Sequence, residues 1–187
     1  LVETDQSIRA GANMEDMAKL RTPFRENGAI TPGTSSPLNA GACALLFMAR
    51  ETAEARGIAA MATVRSIGFA GVEPNLMGKG PVPATRKALK TAGLEAGEID
   101  VWEINEAFAA VPLYAIGELG IDPDKVNVKG GGIAIGHPLG ASGGRILGTL
   151  ARIMEEQGAR YGCATMCCGG GQGVSVILER EAGAQAG

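Results

Sequence analysis

The chain has one histidine, His137, in a segment with few side chains to pack against it. Residues 130–144 read GGGIAIGHPLGASGG, in which seven glycines surround the imidazole. Glycine lets the backbone approach another group closely and accepts the positive φ angles that other residues resist. A phosphate-binding loop is possible here, although neither the nucleotide nor the dinucleotide fingerprint is present. The imidazole is therefore the first candidate for chemistry.

A second candidate segment, VWEINEAFAA, spans residues 101–110. Asn105 and Glu106 follow a predicted strand and open a predicted helix. Taken alone, this position favours helix capping by Asn105, because asparagine is among the preferred N-cap residues.

A third candidate segment, ATMCCGGGQG, spans residues 164–173. Buried packing is the expected role of Cys43 and Cys163, since free cysteine behaves as a small hydrophobic residue. Cys167 differs because it ends a predicted strand where the following glycines leave it uncovered. A zinc site built from His137, Cys163 and Cys167 is disfavoured, because no paired ligand spacing supports it.

The rest of the sequence alternates strands with helices. Apolar periodicity and β-branched residues predict strands over 59–72, 100–104, 125–128, 161–168 and 173–181, and helices over 38–57, 82–93, 106–120 and 140–158. This order, βαβαβαββ after a first helix, indicates an α/β fold with a mixed, mostly parallel sheet covered by helices. All three candidate segments follow strands, so we expect them to meet at one edge of the sheet.

Composition excludes several classes of function. The net charge of –3 and the aromatic content of 4% over 187 residues argue against a nucleic-acid partner, which needs clustered basic or stacking side chains. No apolar run approaches the length of a membrane span, and the N-terminal residues do not resemble a signal peptide. The four cysteines lack a disulfide-like pattern, which predicts a reducing, cytoplasmic location.

Together the three segments resemble the thiolase family, the acyl-CoA acetyltransferases. The family's Asn-Glu-Ala-Phe, Gly-His-Pro-x-Gly and Cys-x-Gly motifs correspond to NEAF (105–108), GHPLG (136–140) and CCG (167–169), in the family's order and spacing. SIRAGANMEDMAKLRTPF, which begins at residue 7, resembles the end of the domain that covers coenzyme A. The resemblance extends over about residues 1–180 and is to the C-terminal half of a thiolase.

The resemblance implies an acyltransferase that exchanges acyl groups between a cysteine thiolate and coenzyme A. It implies that His137 activates the nucleophilic cysteine and donates to an oxyanion, while Cys167 is the acid/base for the substrate carbon or the leaving thiol. Asn105 is expected to hold a water of the first oxyanion hole, and the Gly169 backbone N–H to contribute to a second. A thiol suits this role because its unperturbed pKa is about 8.5 and a cationic neighbour lowers it.

The same resemblance implies the substrate contacts. Ser36 is expected near the pantetheine arm of coenzyme A and Arg9 near its adenosine end, although a solvated surface charge is nearly as good a reading of Arg9. Met77 and Phe108 are expected in the acyl pocket, with plain core packing an equal alternative for Met77. Coenzyme A or acetyl-CoA enters as substrate, and no permanently bound cofactor or metal is expected.

The nucleophilic cysteine of thiolases lies in the N-terminal half, and no equivalent segment is found here. We therefore expect half of an active site, which needs an N-terminal thiolase half and forms a homo-oligomer when complete. The expected division is the end of the coenzyme-A-covering domain and a linker over 1–35, the C-terminal core domain over 36–181, and a tail over 182–187. The alternative is a non-catalytic thiolase-like module that binds acyl-CoA or a partner protein.

Overall fold

A computed structural model describes residues 1, 3–5 and 7–180; the predicted tail over 182–187 lies outside them. The described residues form one four-stranded sheet with helices on both faces. The strands are β1 (Thr63–Gly71), β2 (Val101–Ile104), β3 (Tyr161–Cys168) and β4 (Gln172–Glu179). The helices are α1 (Met14–Ala18), α2 (Arg50–Ala55), α3 (Pro81–Ala92), α4 (Ala110–Leu119), α5 (Gly132–Ile135) and α6 (Ser142–Gln157). Short 3₁₀ turns lie at Pro32–Thr34, Pro74–Lys79, Ala96–Glu98 and Pro123–Lys125.

The strand order is β1-β4-β3-β2, with β2 parallel to β3 and the pairs β3–β4 and β1–β4 antiparallel. The α/β class and the mixed sheet are confirmed. The expectation of a mostly parallel sheet is corrected, because one of the three pairings within the described residues is parallel.

The predicted strand over 125–128 is wrong and explains part of that correction. Its place is taken by a 3₁₀ turn and a single parallel bridge between Trp102 and Val126. Asn127 adopts a φ of 49°. Its side-chain Oδ1 accepts from the N–H of Ile104 at 2.8 Å, and its Nδ2 donates to the C=O of Ile104 at 2.9 Å. A side chain thus satisfies backbone groups that a neighbouring strand would otherwise pair.

Two apolar clusters fix the helices to the sheet. On one face, Trp102, Ile104 and Cys163 pack with residues of α3 and α4. On the other face, Val101 and Leu178 pack with the apolar side of α6. The predicted helices that became α3 and α6 are confirmed in place and both end at a glycine with positive φ, Gly93 and Gly158, as helix C-caps commonly do.

The predicted helix over 38–57 is wrong except for α2. Residues 38–49 have no regular secondary structure and lie against the loop before α6 and the first turns of α6, where three glycines leave the space that their side chains occupy. Because the glycines permit this close approach, tertiary contact overrides the local helical pattern. The side chains that occupy the space beside Gly136, Gly144 and Gly148 are Asn39, Cys43 and Leu45.

Candidate functional site

The candidate site lies at the carboxyl edge of the parallel pair β2–β3. Asn105 follows β2, and its backbone N–H donates to the carbonyl of Thr165 in β3 at 2.9 Å. Cys167 lies two residues further along β3. The glycine-rich segment that holds His137 lies between α5 and α6 and reaches the same edge. Asn105 does not cap α4, because the helix begins at Ala110 after an N-cap at Ala109, so the favoured capping reading of Asn105 is wrong.

His137 is buried and held by its own backbone as well as its side chain. Its N–H donates to the carbonyl of Pro37 at 3.1 Å, which fixes the loop against the extended N-terminal segment. The preceding Gly136 has a φ of 96°, and the Asn39 amide occupies the space that a Cβ there would need. Glycine is therefore required at 136 for both conformation and space.

The imidazole of His137 has two side-chain partners. Its Nε2 lies 3.3 Å from Asn105 Nδ2, and its Nδ1 lies 2.6 Å from the Oγ of Ser142 at the start of α6. Ser142 Oγ in turn lies 3.0 Å from the Pro138 carbonyl and donates to it. Burial, and secondly the nearby Arg145 guanidinium, lower the pKa of His137 below 6.5. The ring is consequently neutral at pH 7 and carries one lone pair for a proton.

Two charged residues near Asn105 were not predicted as site residues from the sequence. Arg145, one turn into α6, donates to Asn105 Oδ1 at 3.4 Å. Glu103 of β2 is buried, and its Oε1 has no hydrogen-bond partner among the described residues. Burial raises the pKa of Glu103 to about 7, with Arg145 opposing the rise and Glu106 adding to it. The signal for Glu103 was available, since it is a charge inside the otherwise apolar strand VWEI.

The Glu106 carboxylate holds the glycine-rich loop in place through two hydrogen bonds. It accepts from Asn127 Nδ2 at 3.0 Å and from the backbone N–H of Ile133 at 3.1 Å. A Cβ on Gly131 would collide with this carboxylate. Glycine at 131 therefore leaves the space that the Glu106 carboxylate occupies. Glu106 therefore positions the loop and does not face the imidazole partners described above.

Cys167 makes no hydrogen bond to His137 or Asn105 among the described residues. It is buried in the apolar cluster with Ala107 and Val111. Burial raises the pKa of its thiol to about 11. The predictions of an uncovered thiol and of a pKa lowered by a cationic neighbour are therefore wrong for Cys167. Cys163 is fully buried, as expected of a packing residue, and burial likewise raises the pKa of its thiol. Cys43 is exposed, so the prediction of buried packing is wrong for it. Within the described residues no group of three or more histidine, cysteine, aspartate or glutamate side chains is placed to hold a metal ion.

The remaining predicted site residues lie in three places. Ser36 is half-buried, and its N–H and Oγ both donate to the Ala107 carbonyl at 3.1 Å. Phe108, next to that carbonyl, and Met77 pack against the α3–α4 cluster. Gly169 opens the turn between β3 and β4 and has space beside its Cα. Arg9 is exposed, and its guanidinium donates to the Ser7 carbonyl at 3.2 Å, so the structure does not bring it to the other residues.

Comparison with known proteins decides the family. The family model described as "Thiolase, C-terminal domain" matches residues 58–180, and "Thiolase, N-terminal domain" matches residues 1–51. The chain belongs to the thiolase family. No helix in the described part of this thiolase chain is long and apolar enough to cross a membrane.

The curated relatives that the chain matches are about twice its length. The chain is 51% identical over 178 residues to an acetyl-CoA acetyltransferase of Shinella zoogloeoides, covering 95% of the chain and 45% of the relative. It is 49% identical over 184 residues to a 3-ketoacyl-CoA thiolase of Marinobacter nauticus, covering 96% of the chain and 47% of the relative. The chain thus spans about half the length of the curated relatives it matches.

Solved thiolase structures agree with the fold. The crystal structure of the Bacillus anthracis acetyl-CoA acetyltransferase matches with a TM-score of 0.90 at 40% identity, over 94% of this chain and 44% of that one. Human mitochondrial 3-ketoacyl-CoA thiolase in complex with CoA matches with a TM-score of 0.87 at 34% identity, over 97% and 46%.

Proposed function

We propose that this chain supplies the C-terminal half of a thiolase active site that transfers acyl groups to or from coenzyme A. The observation that carries the proposal is the contact between Asn105 and the neutral, buried imidazole of His137 at the carboxyl edge of the sheet. Asn105 and His137 belong to two of the three motifs that predicted a thiolase, and they are separated by 32 residues in sequence.

His137 is proposed to take the proton of a nucleophilic cysteine on the N-terminal half. An imidazole with a lowered pKa and a free lone pair suits a general base. Once protonated, Nε2 becomes a donor and no longer accepts from Asn105 Nδ2. Both groups are then free to donate toward the oxyanion of the tetrahedral intermediate, Asn105 through a water, and this stabilisation is a large term in acyl transfer.

Cys167 is proposed as the second acid/base. In thiolysis, the N-terminal thiolate attacks the 3-keto carbonyl of the substrate, and the bond between C2 and C3 breaks. The Cys167 thiol gives its proton to C2, releasing acetyl-CoA, and the resulting thiolate takes the proton of the incoming coenzyme A thiol. That coenzyme A attacks the acyl-enzyme thioester, and the acyl-CoA product leaves. The raised pKa supports a thiol that holds its proton until C2 requires it. The Gly169 N–H is proposed as a donor to the oxyanion of the thioester.

Coenzyme A is proposed as the substrate that this half recognises. Ser36 is proposed at its pantetheine arm, Met77 and Phe108 at the acyl pocket, and Arg9 at the adenosine end. The half-buried positions of Ser36, Met77 and Phe108 near the sheet edge support the first two assignments. No permanently bound cofactor is part of the proposal, and fatty acid metabolism is proposed as the setting of the acyl transfer.

The missing half is proposed as an N-terminal thiolase half, with the complete enzyme a homo-oligomer. Residues 1–35 would belong to the part that covers coenzyme A, and 36–181 to the core domain. Exposed apolar side chains support a covering partner, notably Leu46 at 81% and Phe47 at 60% exposure, because large exposed patches mark interaction surfaces. The four free thiols support a reducing, cytoplasmic location.

The test is a chimera in which this chain replaces the matching region of the Shinella zoogloeoides acetyl-CoA acetyltransferase. We expect thiolysis of acetoacetyl-CoA by the chimera and a loss of roughly 10²-fold or more in kcat with Cys167→Ala, the range for general acid–base groups. Cys168→Ala, one residue away and half-exposed, is the matched control and retains activity. Acyl-CoA binding with no turnover in a folded chimera would support the non-catalytic module instead.

A further inference from the structure

Arg145 begins a continuous chain of hydrogen bonds that passes through the imidazole. The guanidinium lies 3.4 Å from Asn105 Oδ1, and Asn105 Nδ2 lies 3.3 Å from His137 Nε2. His137 Nδ1 lies 2.6 Å from Ser142 Oγ, which lies 3.0 Å from the carbonyl of Pro138. Five groups, from the residue after β2, the glycine-rich loop and α6, are joined in this way.

The Arg145 guanidinium and the Pro138 carbonyl, the two ends of this series of hydrogen bonds, determine the direction of every hydrogen bond between them. A guanidinium has only donors and a backbone carbonyl only acceptors. Asn105 must therefore turn its oxygen to Arg145, which leaves its NH₂ facing His137. Because an amide NH₂ only donates, Nε2 must accept and be unprotonated. The proton of the neutral ring is then on Nδ1, which donates to Ser142, and the Ser142 hydroxyl donates to Pro138.

We propose that Arg145 is a positioning residue that orients the Asn105 amide and thereby sets the Nδ1–H tautomer of His137. No hydrogen bond joins the guanidinium to the imidazole among the described residues, so Arg145 sets the tautomer through Asn105. Glu103 balances its charge inside the fold, since it is the buried carboxylate that interacts with Arg145. The Arg145 Nε is buried without a hydrogen-bond partner among the described residues, so the bond to Asn105 is a main constraint on this side chain.

The consequence for catalysis rests on the proposed function. A base that takes the nucleophile's proton at Nε2 must begin with Nε2 unprotonated, whereas the other tautomer carries its proton on Nε2. Arg145 would then hold the active site in its base-competent form before substrate arrives. The tautomer itself is a property of this chain and is measurable whether or not the chain takes part in acyl transfer.

The experiment is ¹⁵N NMR of the single histidine in the 187-residue chain, with long-range couplings that identify which ring nitrogen carries the proton. At pH 7.5 we expect Nδ1–H in roughly tenfold excess or more, because both hydrogen bonds of the ring favour that tautomer. In Arg145→Met the excess is expected to fall to roughly one or two to one. Arg145→Lys keeps a donor and a charge and is expected to restore part of the excess.

Two controls separate positioning from damage to the fold. Arg152→Met removes an exposed arginine from the same helix and should leave the tautomer ratio unchanged. Glu103→Gln/Arg145→Met removes both members of the charge pair, so no unpaired carboxylate is left to unfold the variant. A dominant Nε2–H form in the parent chain overturns the proposal, as does an unchanged ratio in the folded double variant. The tautomer ratio of the parent chain and its change in the variants can be measured even if the chimera fails in thiolysis. Failure of this proposal and failure of the proposed function are therefore distinguishable.

Discussion

Glu103 is predicted to make the chain less stable as the pH rises. The perturbation is Glu103→Gln, which keeps the shape of a buried strand residue and removes its titration. A carboxyl whose pKa rises from 4.5 to about 7 on folding binds its proton more tightly in the folded state. The full stability is therefore present below about pH 4.5 and is lost as the pH rises through about 7. The loss amounts to about 3 kcal/mol.

The assay is urea unfolding of the parent and variant chains at intervals from pH 5 to 8. Trp102, the one tryptophan in the chain, is buried beside Glu103 in β2 and reports the transition by fluorescence. His137 acts in the opposite direction below pH 6.5, because its folded pKa is lowered and its neutral form is favoured on folding. The difference between parent and variant cancels most of that contribution.

We expect the parent to lose stability relative to Glu103→Gln by about 2 to 3 kcal/mol between pH 5 and 8. Glu54→Gln, which removes an exposed carboxylate from α2, is the matched control for one lost charge. Parallel stability curves for the parent and Glu103→Gln across this range would refute the account of Glu103 as a buried carboxyl held away from water.

Three further predictions follow from the packing and the thiols. Gly68→Ala should cost about 1–3 kcal/mol in urea unfolding, because its Cβ would collide with a backbone carbonyl of α3, whereas Gly71→Ala has open space and should cost less. Thr85→Val should cost about 1–3 kcal/mol by the same measurement, because it removes one member of a buried hydroxyl cluster shared with β3 and β4; an unchanged midpoint would contradict this. Iodoacetamide at pH 8 should label the exposed Cys43 at least about tenfold faster than the buried Cys167, because burial raises the pKa of the Cys167 thiol to about 11. Equal labelling rates, measured by mass spectrometry, would contradict the burial of Cys167.

The position of Asn105 was predictable from one topological rule, since it follows the buried strand β2 and the carboxyl ends of parallel strands converge. His137 was expected at the same edge after a strand over 125–128, which the structure replaces with a 3₁₀ turn and a single bridge. The confirmed parallel pair β2–β3 provides that edge. The family motifs specified which of the polar residues to follow.

The parts that the sequence did not predict depend on contacts between distant segments. Residues 38–49 have an apolar pattern that suits a helix, yet they lie without regular secondary structure along the glycines of α6 and the preceding loop. Ser142 and Arg145 become site residues because α6 begins beside the imidazole, and the amphipathic pattern of α6 does not contain that information. The strand expected over 125–128 does not form. The Asn127 side chain instead makes the hydrogen bonds to the N–H and C=O of Ile104 that a neighbouring strand would make.

The central claim, that the Asn105–His137 pair is the acyl-transfer centre of this half, is tested most directly by kcat for acetoacetyl-CoA thiolysis in the chimera with His137→Ala. The account predicts a loss of roughly 10²- to 10⁴-fold with a retained fold, the range for removing a general base. A kcat within about threefold of the parent would contradict it, since the reaction would then proceed without the one imidazole in the chain.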